Sequence, residues 1–109
     1  MDEVKKNINR NNKKDFEKYK FVKGDVLETL KIQENLPNKI SFLRLDTDLY
    51  KTTKMQLEVL YEKLTPRGVL HIDDYGICPG VKTAVDEFFA NENIWLHRVD
   101  LTCRYLIKK

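Results

Sequence analysis

Apolar strand-like segments alternate with amphipathic helical segments in this sequence, and that order constrains the fold more than any other feature. Residues 40–45 (ISFLRL) are mostly apolar, as expected for a strand covered on both faces, and residues 69–72 (VLHI) form a second such segment. Residues 53–64 lie between them, begin with a capping-box pattern and carry apolar side chains at helical spacing. Strand, helix and strand in this order predict a βαβ unit with a parallel sheet.

The N-terminal part of the chain predicts three further short elements. Residues 3–18 have the weak periodicity of a helix, although their asparagines are poor helix formers. Residues 19–23 alternate like a short strand. Asp25 precedes Glu28 by three residues, which is the pattern of a capped helix start.

The C-terminal part predicts a helix and a hairpin. A turn at Pro79 and Gly80 is followed by a helical apolar stripe over residues 81–89. Residues 95–99 and 103–107 are rich in strand formers and predict an antiparallel hairpin at the edge of the sheet. We expect the single tryptophan, Trp95, to lie in the core.

Composition limits the class of protein. The 109 residues are 41% hydrophobic and 34% charged, which predicts one globular domain over residues 1–109. The sequence has no apolar run of membrane-spanning length and no signal-peptide h-region near Met1. Two cysteines, Cys78 and Cys103, form no disulfide scaffold, so we expect a reducing, cytoplasmic location.

The charge is uneven along the chain. The net charge is +3, and residues 1–23 carry eight basic and four acidic side chains. A basic segment is one feature of nucleic-acid binding. No aromatic residue interleaves with the basic residues before Phe16, so we favour a solvated helix face over a nucleic-acid site.

Aspartates follow both apolar strands of the predicted βαβ unit. Asp46 and Asp48 come after the first strand, and Asp73 and Asp74 come after the second. Ligands of open α/β sheets bind beyond the carboxyl ends of the strands, and the ends of adjacent strands lie about 5 Å apart. Carboxylates that crowd together need a cation or raised pKa values. Oxygen ligands suit Mg²⁺, with Ca²⁺ and Mn²⁺ as alternatives.

Each aspartate also has a purely local interpretation. Aspartate is common after strands because it forms turns and caps helices. Asp48 could start the next helix, and Asp73 with Asp74 could form a turn. We favour the shared site because all four aspartates would otherwise have to be incidental.

Three segments together resemble the macrocin O-methyltransferase family. They are residues 42–53 (FLRLDTDLYKTT), 60–64 (LYEKL) and 68–76 (GVLHIDDYG). The continuation over residues 78–86 (CPGVKTAVD) also fits, and the likeness extends over about residues 20–90.

The resemblance implies a class I enzyme that depends on S-adenosylmethionine and a divalent metal, Mg²⁺. Such enzymes methylate a hydroxyl group of a small-molecule acceptor, often a sugar of a natural product. By this resemblance Asp46, Asp73 and Asp74 are the metal ligands, and Asp46 also serves as the general base. Asp25 is a candidate for cofactor binding, and a plain helix cap is an equal alternative.

The sequence departs from that family where the cofactor binds. A class I methyltransferase begins with a strand that ends in a Gly-rich turn, but the four glycines here form no G-x-G. We therefore expect a partial Rossmann-like class I sheet, mostly parallel, with a C-terminal antiparallel hairpin and the first two strands missing. We expect such a chain to correspond to the C-terminal half of a methyltransferase, with weak or no cofactor binding by itself.

The missing strands also bear on partners. The strand at residues 40–45 would have an open apolar edge. That edge could pair with the strand at residues 19–23, with a second copy of the chain or with a missing N-terminal half.

Two other functions are compatible with the acidic pattern. Haloacid-dehalogenase-type phosphatases also place an Asp-x-Asp motif after an apolar strand, and Asp46 would then be a nucleophile. Asp46 and Asp73 are 27 residues apart in the sequence, which leaves little room for the phosphate-binding elements of such enzymes. The remaining alternative is a non-catalytic partner subunit that keeps the fold.

Overall fold

A computed structural model describes residues 18–109, in which two main helices accompany a four-stranded sheet. The helices are α1 (Val26–Thr29), α2 (Tyr50–Leu60) and α3 (Pro79–Phe88), and the strands are β1 (Ile40–Leu45), β2 (Leu64–Ile72), β3 (His97–Arg98) and β4 (Arg104–Ile107). Short 3₁₀ helices occur at Gln33–Asn35 and Tyr61–Lys63. Almost all of the helix predicted over residues 3–18 lies outside the described residues.

The sheet is mixed, with the strand order β1-β2-β4-β3. β1 pairs with β2 in parallel, as the βαβ unit predicts, whereas β4 pairs antiparallel with both β2 and β3. The prediction of a mostly parallel sheet is therefore wrong for the described residues, where one pairing in three is parallel. The hairpin is confirmed, and its strands are shorter than the two strands of the parallel pair.

The strand predicted at residues 19–23 does not form. Tyr19 and Phe21 stack on each other at 6.4 Å between ring centroids, which is the same-side placement that alternation predicts. However, within residues 18–109 this segment belongs to no strand of the sheet, and β1 pairs there only with β2. Alternation gives a segment the side-chain pattern of a strand, but a strand also needs a neighbour to bond its backbone.

α2 and β2 both begin earlier than predicted. α2 starts at Tyr50 rather than after a Thr53 cap, and the Thr52 hydroxyl donates to the carbonyl oxygens of Thr47 and Leu49 in its first turn. β2 starts at Leu64 because Pro66 and Arg67 are accommodated as an irregularity of the strand. Arg67 adopts a φ of 69° there, and its N–H donates to Lys108 at 2.7 Å.

α3 begins at Pro79, where a separate turn was predicted. Proline suits the first position of a helix because its φ is already helical and its missing N–H is not needed there. Gly80, the next residue, packs against the start of α2, and a Cβ added to it would lie 3.0 Å from the Tyr50 nitrogen. The first turns of the two helices therefore pack closely beside the ends of the strands.

The core lies between one face of the sheet and the two main helices. Alternate strand residues point into it, and helix residues from α2 and α3 and the residue after α3 cover them, the members being Leu43, Leu45, Leu70, Ile72, Leu106, Leu57, Val81, Val85 and Phe89. Burying each such side chain contributes roughly 1.5–3 kcal/mol. Phe42, on the opposite face, is 56% exposed.

The hairpin is shorter than predicted, with Tyr105 of β4 opposite His97 of β3. Trp95 precedes β3 and is 74% exposed, so its predicted core position is wrong. The reason is that β3 is the outermost strand of the described sheet, so Trp95 meets no further strand beyond it. None of the helices in residues 18–109 has the length and apolar character needed to cross a bilayer.

Candidate metal centre

The parallel pairing of β1 with β2 places two aspartates side by side. Leu45 is in register with Ile72, and the Asp73 N–H donates to the Leu45 carbonyl oxygen at 3.0 Å. Asp46 and Asp73 are the next residues of the two strands, so both leave the sheet at the same edge. The sequence prediction that these strands are neighbours is confirmed.

Three carboxylates meet at this edge. One oxygen each of Asp46, Asp73 and Asp74 lies within 4.8 Å of the other two. Asp46 is exposed, whereas Asp73 and Asp74 are half-buried. The structure therefore brings together the three residues that the sequence predicts as metal ligands, although their roles stay predictions.

A second group of ligand atoms shares Asp74. A carboxylate oxygen of Asp48, one of Asp74 and the Cys78 sulfur also lie within 4.8 Å of one another. Asp48 has a φ of 36°, a left-handed conformation that aspartate tolerates better than most residues. With this backbone conformation Asp48 lies outside α2, and its carboxylate lies beside Asp74 instead of capping the helix.

Hydrogen bonding, desolvation and neighbouring negative charge raise the pKa values of Asp74 and Cys78. A hydrogen bond with Asp48 raises the pKa of Asp74 to about 6, with further contributions from desolvation and from the charges of Asp48, Asp73 and Asp46. Burial, together with the charges of Asp74 and Asp48, raises the pKa of the Cys78 thiol. The thiol is thus held in its protonated form, which disfavours a nucleophilic role.

Arg44 provides positive charge at the end of β1. Its terminal nitrogen Nη2 lies 3.5 Å from Asp46 Oδ2 and 3.6 Å from Asp73 Oδ1. The sequence analysis assigned no role to Arg44. The signal was present in the spacing, because residues two apart on a strand share a face.

Tyrosines hold both acidic loops against α3. The Tyr75 hydroxyl donates to Asp86 at 2.6 Å, and Lys82 pairs with the same carboxylate at 2.7 Å. The Tyr50 hydroxyl donates to Glu87, also at 2.6 Å. These contacts tie the segments that follow Asp46 and Asp73 to one helix.

Backbone contacts further define the loop after β2. The N–H groups of Ile77 and Cys78 both donate to the Asp74 carbonyl oxygen. The Gly76 N–H donates to Thr102 at 2.9 Å, and a Cβ at Gly76 would collide with the carbonyl oxygen of Leu101. The loop therefore packs directly on the hairpin connection, a close approach that only glycine permits.

Asp25, the predicted cofactor residue, caps α1. Its carboxylate accepts a hydrogen bond from the Leu27 N–H at 2.9 Å, and the residue is exposed. It belongs to neither group of ligand atoms. The helix-cap alternative is confirmed as a structural role, and cofactor binding by Asp25 stays a prediction.

The donor set fits a hard divalent cation. Carboxylate oxygens are the ligands that Mg²⁺ prefers, and it usually takes one or two of them while keeping several waters. The hydrogen bond with Asp48, desolvation and the neighbouring negative charges all disfavour ionisation of Asp74, and a divalent cation at this position would favour it. The residues present could therefore hold Mg²⁺ between the ends of β1 and β2.

Comparison with known proteins assigns the family. Residues 1–108 match the family described as macrocin-O-methyltransferase (TylF), and the chain belongs to that family. The resemblance seen in the sequence is thereby confirmed. A relative, the demethyldecarbamoylnovobiocin O-methyltransferase of Streptomyces niveus, is 36% identical over 96 residues, which are 85% of this chain and 34% of that protein.

Solved structures agree with this assignment. The O-methyltransferase NovP matches with a TM-score of 0.77 and 28% identity over 100% of this chain and 45% of its own. The apo structure of CalS11, a TDP-rhamnose 3'-O-methyltransferase of calicheamicin biosynthesis, matches with a TM-score of 0.68 and 27% identity over 79% of this chain and 40% of its own. The chain thus spans about a third of the Streptomyces relative and less than half of either structure.

The raised pKa of Asp74 predicts a pH dependence of stability in the metal-free protein. Because the folded-state pKa of about 6 lies above the unfolded value of about 3.9, the free energy of unfolding falls as pH rises between them. Asp74→Asn removes this titration, so its stability relative to wild type should increase from pH 4 to pH 7. Urea unfolding in EDTA measures the difference.

Asp100 offers a control of opposite sign. Backbone hydrogen bonds from Cys103 and Thr102 lower the pKa of Asp100, so its contribution is present above the unfolded pKa and lost in acid. Asp100→Asn should therefore destabilise the protein at pH 7 and less so at pH 3. A pH profile of Asp74→Asn that is parallel to wild type contradicts the account of the acidic cluster.

Proposed function

We propose that this chain carries the metal-binding part of an S-adenosylmethionine-dependent O-methyltransferase. The observation that supports it most is the meeting of Asp46, Asp73 and Asp74 at the ends of two paired strands, with ligand oxygens within 4.8 Å. Membership of the macrocin-O-methyltransferase family supplies the chemistry, because the named relatives are O-methyltransferases. We further propose that the mixed sheet is part of a Rossmann-like class I methyltransferase sheet.

In this proposal Asp46, Asp73 and Asp74 hold Mg²⁺. When bound, the cation would lower the pKa of an acceptor hydroxyl, whose oxygen would take the methyl group as the methyl–sulfur bond of the donor breaks. The tyrosine contacts to α3 keep the two acidic loops in place during this step. The exposed position of Asp46 leaves the site open to an acceptor.

Asp46 is the proposed proton acceptor, as the sequence analysis suggests. Asp48 is a second candidate, because its carboxylate lies next to Asp74 but outside the three-carboxylate group. A carboxylate that is not shared with a cation is the stronger base. Asp25 is the residue that we propose for contact with the cofactor. The described part of the chain contains no Gly-rich turn of the kind that binds this cofactor.

The acceptor we propose is a hydroxyl of a sugar-like small molecule. The name of CalS11, a TDP-rhamnose 3'-O-methyltransferase, supports a sugar acceptor, and the name of the Streptomyces relative, a demethyldecarbamoylnovobiocin O-methyltransferase, supports a small-molecule acceptor. Family membership favours methyl transfer over the phosphatase alternative. A non-catalytic subunit with the same fold is the outcome that the activity test below would identify.

Partners and location complete the proposal. β1 is an edge strand of the described sheet, and its residue Phe42 is exposed. An edge of this kind is suited to pair with another strand. We propose a second copy of the chain, or the remaining part of a longer methyltransferase fold, as its neighbour. We also propose a cytoplasmic location, with which the free thiols of Cys78 and Cys103 agree.

Mg²⁺ should stabilise the folded protein, and single ligand variants should abolish the effect. A ligand at 100 times its dissociation constant stabilises the native state by about 2.7 kcal/mol. Asp46→Asn and Asp73→Asn each remove one ligand, so the rise in Tm on adding Mg²⁺ should be lost in both. Glu62→Gln, at an exposed site on the 3₁₀ helix after α2, is the control that keeps the shift. Unchanged shifts in both aspartate variants would remove the metal site from the proposal.

Methyl transfer itself should depend on a divalent cation. S-adenosylmethionine with a labelled methyl group is supplied at millimolar concentration, because we expect weak donor binding, together with nucleotide-linked sugars such as TDP-rhamnose. EDTA should stop the transfer and Mg²⁺ should restore it. Removal of the general base should cost about 10²–10⁴-fold, so Asp46→Asn and Asp48→Asn are compared directly. Equal transfer with and without EDTA contradicts the proposal, and no transfer to any acceptor at donor concentrations that titration shows to saturate the chain favours the non-catalytic subunit.

A further inference from the structure

We propose that Arg44 is a positioning residue that holds Asp46 and Asp73 together across the two strands. This inference rests on the proposed metal site and adds a residue to it. Neither the Asp-x-Asp motif nor the Asp-Asp pair includes Arg44. Its guanidinium nevertheless reaches a carboxylate from each strand.

Strand geometry places the three residues on one face. Arg44 and Asp46 are two residues apart along β1 and the segment that continues it, so their side chains point the same way. Arg44 is in register with His71, and Asp73 lies two residues beyond His71. The Asp73 position is therefore diagonal to Arg44 across the strand pair, at a separation that a long side chain can span.

The observed contacts use a single nitrogen. Nη2 of Arg44 lies 3.5 Å from Asp46 Oδ2 and 3.6 Å from Asp73 Oδ1. The side chain of Asp73 is 29% exposed, compared with 51% for Asp46 and 55% for Arg44. Arg44 thus bridges a half-buried carboxylate at the end of β2 and an exposed one at the end of β1.

The bridge addresses the main physical problem of the site. Carboxylates whose oxygens lie within 4.8 Å repel each other and tend to turn apart in water. A guanidinium between them offsets this repulsion and limits the directions that the carboxylates can take. Each carboxylate has two oxygens, so one can face Arg44 while the other faces a bound cation.

Two effects of Arg44 on a divalent cation oppose each other. Its positive charge repels the cation, and its contacts orient two of the ligands. Arg44 is more than half exposed, so solvent weakens both its repulsion of the cation and its attraction to the carboxylates. The carboxylates are in direct contact with the guanidinium, whereas a cation on their other oxygens would lie farther from it, so the repulsion is the weaker of the two. Partners that orient metal ligands typically change metal affinity by 10–100-fold. We therefore expect orientation to exceed repulsion.

The test measures Mn²⁺ affinity by the EPR signal of free Mn²⁺ for wild type, Arg44→Gln and Arg44→Lys. Arg44→Gln should weaken Mn²⁺ binding by at least about 10-fold, within the range typical of ligand-orienting partners. Arg44→Lys should lose less, because one ammonium nitrogen can replace the single nitrogen that makes both contacts. Arg67→Gln is the matched control, since it removes the same charge near the start of β2 and should change the affinity by less than about twofold.

The outcomes separate this inference from the metal site itself. Mn²⁺ binding by Arg44→Gln that equals or exceeds wild type overturns the positioning role, because repulsion then dominates. If Arg44→Lys loses as much Mn²⁺ affinity as Arg44→Gln, the proposed contact of one positive charge with both carboxylates is also overturned. Wild-type protein that binds no Mn²⁺ contradicts the proposed metal site, and the inference falls with it. Urea unfolding in EDTA establishes that each variant is folded at the temperature of the titration.

Discussion

The parallel pairing of β1 with β2 is the interaction on which the candidate site depends. Leu45 is in register with Ile72, and the Asp73 N–H bonds to the Leu45 carbonyl oxygen, so the two strands end together. A slip of one residue would turn Asp73 to the other face of the sheet and would expose Leu70 and Ile72 to water. Burial of those two side chains in the core therefore also fixes the position of the acidic site.

Periodicity in the sequence was sufficient for the part of the fold that forms this pair. The alternation of apolar strand and amphipathic helix predicts the βαβ unit, and the aspartates that follow both strands predict their meeting point. The start of α2 at Tyr50 was not predictable in this way, because Leu49 provides no side-chain cap and Thr52 bonds backward instead. Strand pairing at residues 19–23 failed because alternation carries no information about a neighbouring strand.

The electrostatics of the site depend on tertiary contacts that a sequence shows only in part. The positive φ of Asp48 turns its carboxylate toward Asp74, and nothing in the Asp-x-Asp spacing distinguishes this from a helix cap. Arg44 is an unusual charge in an apolar strand. Its contact with Asp73 could be recognised only from the register of Arg44 with His71. Charge inside a strand next to an acidic strand end is a signal that could be sought in other sequences.

Anomalous diffraction from crystals that contain Mn²⁺ tests the central claim most directly, because it locates the cation relative to the ends of β1 and β2. We expect one strong anomalous peak that lies at bonding distance, about 2.1 Å, from carboxylate oxygens. These oxygens should belong to Asp46 and to at least one of Asp73 and Asp74. A peak bound to residues of one strand alone would contradict it. So would a map in which Mn²⁺ at saturating concentration gives no peak at this edge of the sheet.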